Sequence, residues 1–205
     1  MLLNQNNQQG MQQSSQLSPM QQFGGHELMS AHEAIGAIIG SLDHLTIYEQ
    51  HVQDQQLTNI MQRQRAFLTQ IYNTVIDTLK TGQDPAVKTQ TYQMEENNQS
   101  VYGMKQSAPK KPIQAINELT DECISNGILG HLKGIASQFT MTALEATNPV
   151  LRRIFADSVP NVIEMAYEMY LYQNKHQYYQ VPQLKQEDMQ IITNGFAPIQ
   201  GNISH

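Results

Sequence analysis

The chain has 205 residues, enough for one domain with a substantial core or for two small ones, with a net charge of −6 and only 15% charged residues against 40% apolar ones. An acidic balance whose basic residues stand in isolated pairs, Lys110-Lys111 and Arg152-Arg153, excludes a broad electrostatic footprint for DNA or RNA. A single cysteine, Cys123, excludes an intramolecular disulfide, a zinc knuckle and a Cys-x-x-Cys pair, and without a membrane-length apolar run or a secretory signal the chain is expected to start in the cytosol of the cell that makes it.

Residues 1–25 form a Gln/Asn/Ser/Met tract that buries too little to order itself and reads as a disordered tail. From 26 to 80 two helical rhythms follow. In the first, Leu28, Ala31, Ile35, Ile38, Leu42, Leu45, Glu49 and Val52 recur at steps of three and four; in the second, Leu57, Ile60, Gln64, Phe67, Leu68, Ile71, Val75 and Leu79 do so, closed by Thr81-Gly82 as a C-cap. A short polar break near Gln53 and Asp54 makes these an antiparallel hairpin.

Residues 81–112 are rich in amides, Gly and Pro and read as a crossover linker. A second hairpin is expected over 113–176, from Ile124, Ile128, Leu132, Ile135, Phe139, Thr142 and Ala146, then Leu151, Ile154, Phe155, Ser158, Val162, Met165, Met169 and Tyr172. Between these runs Asn148 is placed to cap the next helix and Pro149 occupies its first position, where a missing N–H costs nothing. Pro160 should kink the last helix at a cost of ~3 kcal/mol. Residues 177–205 form a C-terminal tail. Two hairpins joined by a long crossover give an all-α, ferritin-like four-helix bundle.

The stretch from Thr120 to Tyr179, with ThrMetThrAlaLeuGluAlaThrAsnProValLeuArgArgIlePhe at 140–155 as its core signature and MYLYQNKHQYY after it, resembles the spore coat protein F family of endospore-forming bacteria. The resemblance implies a ferritin-like fold and a structural protein of the spore coat, made in the mother cell, with other spore coat proteins as partners. A homo-oligomer packed on glycine faces (Gly36 and Gly40, or Gly127, Gly130 and Gly134) is the additional partner reading. The alternative is a ferritin-like metal or redox protein with substituted ligands.

Ferritin-type di-iron centres require Glu-x-x-His pairs, and none occurs here. In EMAYEMYLYQ, Glu164 and Tyr167 have the spacing of such a pair, but the phase set by Leu151 and Met169 turns both outward. Glu49, Gln64, His32 and Asp121 are the polar residues expected inside, read as bundle-end polar groups rather than metal ligands. His44 and His131 read as boundary histidines, and Cys123, beside Asp121 and Glu122, as a core or boundary thiol. No catalytic residue, cofactor or metal ligand is assigned. Tyr167, Tyr170, Tyr172, Tyr178 and Tyr179, with Tyr92 and Tyr102 in the crossover, read first as amphipathic rings covering the bundle end. Their functional alternative is coat assembly by tyrosyl coupling, or by cross-links between the Gln-rich tail and Lys110-Lys111.

Overall fold

The computed structural model describes residue 13, residues 16–19 and residues 22–199. Most of the N-terminal tail predicted for 1–25 therefore lies outside the described residues. The helices are α1 (Gly25–Tyr48), α2 (Gln55–Thr81), α3 (Asp121–Glu145), α4 (Pro149–Lys175) and α5 (Gln186–Asn194), and there is no strand among the described residues beyond isolated bridges of Tyr102 and Gly103 with Val181.

Local chemistry starts and stops the helices where the sequence places it. The Asp54 carboxylate accepts from the Gln56 N–H, the Thr120 hydroxyl from Cys123, and the Asn148 side chain from Val150 and Leu151, with Pro149 at the first position of α4. Gly82 ends α2 in the left-handed region at φ 68°, its N–H bonded to the Thr78 carbonyl. A Cβ at that position would lie 2.4 Å from the Pro19 carbonyl oxygen, so both backbone conformation and space demand glycine.

Four of the helices form the bundle. α1 packs on α2 and α3, α4 packs on α2 and α3, and the α3–α4 interface is the most extensive. Ser30 meets Thr142 at one end of the α1–α3 pair, and Asp121 meets the backbone of Gln53 and Asp54 at the other, so these helices are antiparallel. Gln64 reaches the Met165 carbonyl and Tyr172 reaches Asp54, which makes α2 and α4 antiparallel as well. α2 and α3 then run the same way on the bundle diagonal, and the chain must travel the full bundle length between them. That is the ferritin-like connectivity of two hairpins and a long crossover. Ile38, Leu57, Ile60, Leu68, Ile124, Leu132, Ile135, Leu151, Met165 and Met169 fill the interior, and Phe139 and Phe155 pack edge to face at 5.3 Å.

One expectation is corrected. The inward stripe of α1 is Glu27, Ala31, Ala34, Ile38, Ser41 and Leu45, while Leu28 is 42% exposed. Apolar residues surround most of this helix, so hydrophobicity alone does not select its phase. The small Ala31 and Ala34 occupy the buried positions where α1 meets its neighbours. Consequently Glu49 and Val52 belong to the turn 49–54, not to the stripe. Residues 186–194 of the tail form α5, whose apolar Met189, Ile191 and Ile192 are exposed. α4 continues as helix through Pro160. Pro160 and Ala156 are both exposed, so the carbonyl that loses its helical partner faces water.

Candidate functional site

The middle of the bundle, where a ferritin-like protein would hold metal, contains Glu168 of α4, at 0% exposure. Its Oε1 accepts from Arg63 Nη2 at 2.7 Å and from the Glu95 N–H at 3.0 Å; its Oε2 accepts from the Tyr92 hydroxyl in a short bond and from Gln64 Nε2 at 3.4 Å. Burial, the largest influence on Arg63, acts to lower its pKa, but the bond and charge of Glu168 outweigh it and the guanidinium is raised. Tyr92 is pushed well above the ordinary tyrosine value, first by burial and then by Glu168. Both carboxylate oxygens are thus occupied by donors, with a fixed cation in the place of an ion. The remaining acceptor is Gln64 Oε1, which has no protein partner, and one amide oxygen beside a guanidinium is a poor donor set for iron or manganese. These residues do not fit a ferritin-type metal.

What Glu168 does hold is the crossover. Elsewhere on α4, Asn161 accepts from the Tyr92 N–H at 2.8 Å and donates to the Gln90 carbonyl at 3.0 Å; Asn174 accepts from the Val101 N–H at 2.6 Å and donates to the Val101 carbonyl at 2.9 Å. Each asparagine presents an acceptor and two donors, and so satisfies an extended backbone much as a neighbouring strand would. Asn161 and Glu168, seven residues apart, lie on one face of α4, and Asn174, six residues further on, is turned about 120° from them toward the bundle end. The crossover is tied to α4 at three points and needs no secondary structure of its own.

A second buried carboxylate performs the same service at the bundle end. Glu27 of α1 is 1% exposed and accepts from the N–H groups of Gly24, Thr147 and Asn148 and from the Thr147 hydroxyl, at 2.5–2.9 Å. The Glu-Ala-Thr-Asn-Pro junction therefore has two jobs: Asn148 caps α4, and the backbone of Thr147 and Asn148 receives α1.

At the opposite end, Tyr172, His176 and Tyr178 stack around Asp54. The Tyr172 hydroxyl donates to Asp54 Oδ2 at 3.1 Å, and His176 Nε2 lies 3.4 Å from the same oxygen. Burial, reinforced by Asp54, raises Tyr172 far above the ordinary range, and Tyr178 is raised by burial and by Asp121. Tyr167 and Tyr170 stack at 5.7 Å, and Tyr170 meets Tyr179 edge on at 5.3 Å.

The residues singled out from the sequence are scattered rather than convergent. Glu164 and Tyr167 are half-buried and outside the core, and His32 is exposed, not inward. Glu49 is exposed and pairs with Arg65 at 2.9 Å. Asp121 accepts from the Gln53 and Asp54 N–H groups at 3.0 Å, a capping role. Cys123 is half-buried, its sulfur accepting from Thr120, in a cleft with Lys110, Lys111, Glu122, Asn126, Gln173 and Tyr178. A Cβ at Gly127 would meet the Tyr48 hydroxyl at 3.0 Å, whereas Gly36, Gly40, Gly130 and Gly134 face open space. Gln64 is fully buried as expected. Glu27, Arg63 and Glu168 were missed. The signal for Glu168 was its position within EMAYEMYLYQ, three residues beyond Met165 and one before Met169, on the edge of the core stripe.

A Coat F domain matches residues 120–182. The chain is 47% identical over 180 residues, 88% of its length and 83% of the relative's, to the spore coat protein F-like protein YhcQ of Bacillus subtilis (strain 168). Its backbone resembles the crystal structure of a candidate spore coat protein from Bacillus halodurans C-125, with a TM-score of 0.59 over 84% of this chain and 99% of that one. Identity there is 11%, so that likeness concerns the fold alone.

Proposed function

The chain belongs to the spore coat protein F family, and from that premise we propose that it is a structural, non-enzymatic component of the spore coat that assembles with other coat proteins. The observation that carries the reading is the use made of the buried carboxylates. Glu168 and Glu27 spend all their accepting capacity on the chain's own donors, tying down a crossover and a turn. A catalytic or metal-binding bundle keeps inward carboxylates available for substrate or ion; this one converts them into scaffolding. No helix among the described residues is long and apolar enough to cross a membrane.

For assembly, the bundle offers a row of rings at one end, Tyr167, Tyr170 and Tyr179, with Lys133 Nζ 5.6 Å above the Tyr179 ring, and the exposed Tyr102 nearby in the bridge to Val181. Aromatic residues with a polar edge are favoured where protein surfaces meet. The test is a fluorescently tagged copy followed through sporulation, together with metal analysis of the purified protein. A shell around the forespore and sub-stoichiometric iron and manganese are expected. A signal that stays diffuse in the mother cell would overturn the coat reading.

A further inference from the structure

His44 on α1 and His131 on α3 lie with ring centroids 4.4 Å apart and planes inclined at 58°, the closest of the ring contacts between helices. Neither spacing nor periodicity pairs them; the antiparallel packing of α1 on α3 does. One turn further along each helix, Tyr48 stands against Gly127, where a side chain would have to sit 3.0 Å from the Tyr48 hydroxyl. The missing Cβ of Gly127 lets the two helices close at this level, and the histidines are the adjacent rung.

The tautomer of His44 follows from its partner. Its Nδ1 is 2.6 Å from the Gly40 carbonyl oxygen, which can only accept, so Nδ1 carries a proton and Nε2 is the nitrogen whose lone pair the neutral ring offers. A ring oriented by a backbone carbonyl through one nitrogen, with the other free, is the arrangement usual for metal-ligating histidine. Both rings are half-buried, reachable from solvent but restrained.

We propose that His44 and His131 form a two-histidine site for a borderline divalent metal ion, of the class of Zn2+, Ni2+ and Cu2+, at the seam between α1 and α3. Imidazole nitrogen suits these ions and not Mg2+ or Ca2+. No third His, Cys, Asp or Glu joins the pair in a metal-binding group among the described residues, so water completes the coordination and the ion is exchangeable. The site is separate from the Glu168 level and does not depend on the coat reading.

The experiment uses the full chain, freed of metal, titrated with ZnCl2 and NiCl2 by calorimetry, with CuCl2 followed by electron paramagnetic resonance. Saturable 1:1 binding is expected, weakened by about tenfold or more in both His44→Gln and His131→Gln, since losing even an outer-shell partner of a ligating histidine costs about 10–100-fold. The exposed His32→Gln should bind like the parent. Copper should show two nitrogen ligands in the parent and one in each variant. Because a variant could lose binding through misfolding, circular dichroism must show both helical, and a variant that binds poorly must keep the parent's melting temperature without metal to within a few degrees. Equal binding by parent and both folded variants, or no 1:1 binding to any of the three ions, overturns the proposal.

Discussion

Glu168 on α4 and Arg63 on α2 meet with 2.7 Å between Oε1 and Nη2, and the carboxylate is wholly buried while the guanidinium keeps 22% of its side-chain exposure. A pair this enclosed is costly to form, because desolvation offsets much of the attraction, and more costly to break, because the survivor is left uncompensated. Replacing Glu168 by Ala also strips the Tyr92 hydroxyl and the Glu95 N–H of their acceptor. Glu168→Ala should lower unfolding free energy by roughly 3–5 kcal/mol in urea melts. A loss below about 1 kcal/mol would mean that the carboxylate is not the centre of the fold's polar interior.

Tyr92 and Tyr172 make stability fall at alkaline pH. Both have folded-state pKa values raised above the ordinary 10, by burial first and by the carboxylates of Glu168 and Asp54 next. Above pH 10 the unfolded chain releases these protons while the folded chain retains them, so the unfolded state binds fewer protons and stability declines as pH rises. The contribution is complete below pH 10 and is lost progressively above it. Urea midpoints measured from pH 8 upward should be flat in this respect until about pH 10 and then drop, with the decline shallower in Tyr92→Phe. An unchanged slope in that variant would refute the assignment.

The crossover should loosen one anchor at a time. Asn161→Ala removes the acceptor of the Tyr92 N–H, and Asn174→Ala removes both partners of Val101. Because these anchors lie well apart on α4, their effects should be local and close to additive. Hydrogen exchange is expected to speed at Tyr92 in the first variant and at Val101 in the second, each leaving the other amide protected. Global exposure of 82–120 from either single change would mean that the segment docks as one cooperative unit.

Much of this architecture was legible because its signals are local. The Asn148-Pro149 start, the Gly82 stop and the apolar rhythms of α2, α3 and α4 all state their role within a few residues, and the length of the crossover then selected the connectivity. The polar interior was not legible for the opposite reason. Glu168 joins α4 to α2 and to two crossover residues, and Glu27 joins α1 to a turn more than a hundred positions away. A glutamate beside a core stripe looks the same in sequence whether it faces water or an arginine. The α1 phase failed because Leu28, Ile39 and Ile47 are exposed apolar residues that compete with the small, buried Ala31 and Ala34. His44 and His131 are both half-buried, and their meeting depends on the antiparallel register of α1 and α3, which no local pattern states.

Glu27 offers a test of how the family's junction works. Asn148→Ala removes one N-cap and should cost about 1–2 kcal/mol. Glu27→Ala removes the acceptor for donors at Gly24, Thr147 and Asn148, so its cost should exceed that of Asn148→Ala and should appear as premature fraying of both the start of α1 and the α3–α4 turn. If exchange at Thr147 is unaffected by Glu27→Ala, the carboxylate is a cap for α1 alone.

Pro160 sits in the middle of an unbroken α4, exposed, one turn after the exposed Ala156 whose carbonyl it leaves without a helical donor. Its usual cost in a helix interior is ~3 kcal/mol, from the missing N–H and the clash of its ring with the preceding turn. Solvent lowers that cost here by hydrating the freed carbonyl, and the neighbouring Ser158, Asn161 and Val162 are buried on the opposite side, so nothing in the core requires the ring. Pro160→Ala restores the donor without adding a side chain to the interior. It should raise stability by about 1–3 kcal/mol in urea melts with an unchanged denaturant slope. A loss of stability instead would show that the packing of Asn161 on the crossover depends on a helix bent at this residue, and Tyr92 amide exchange would then quicken in the same variant.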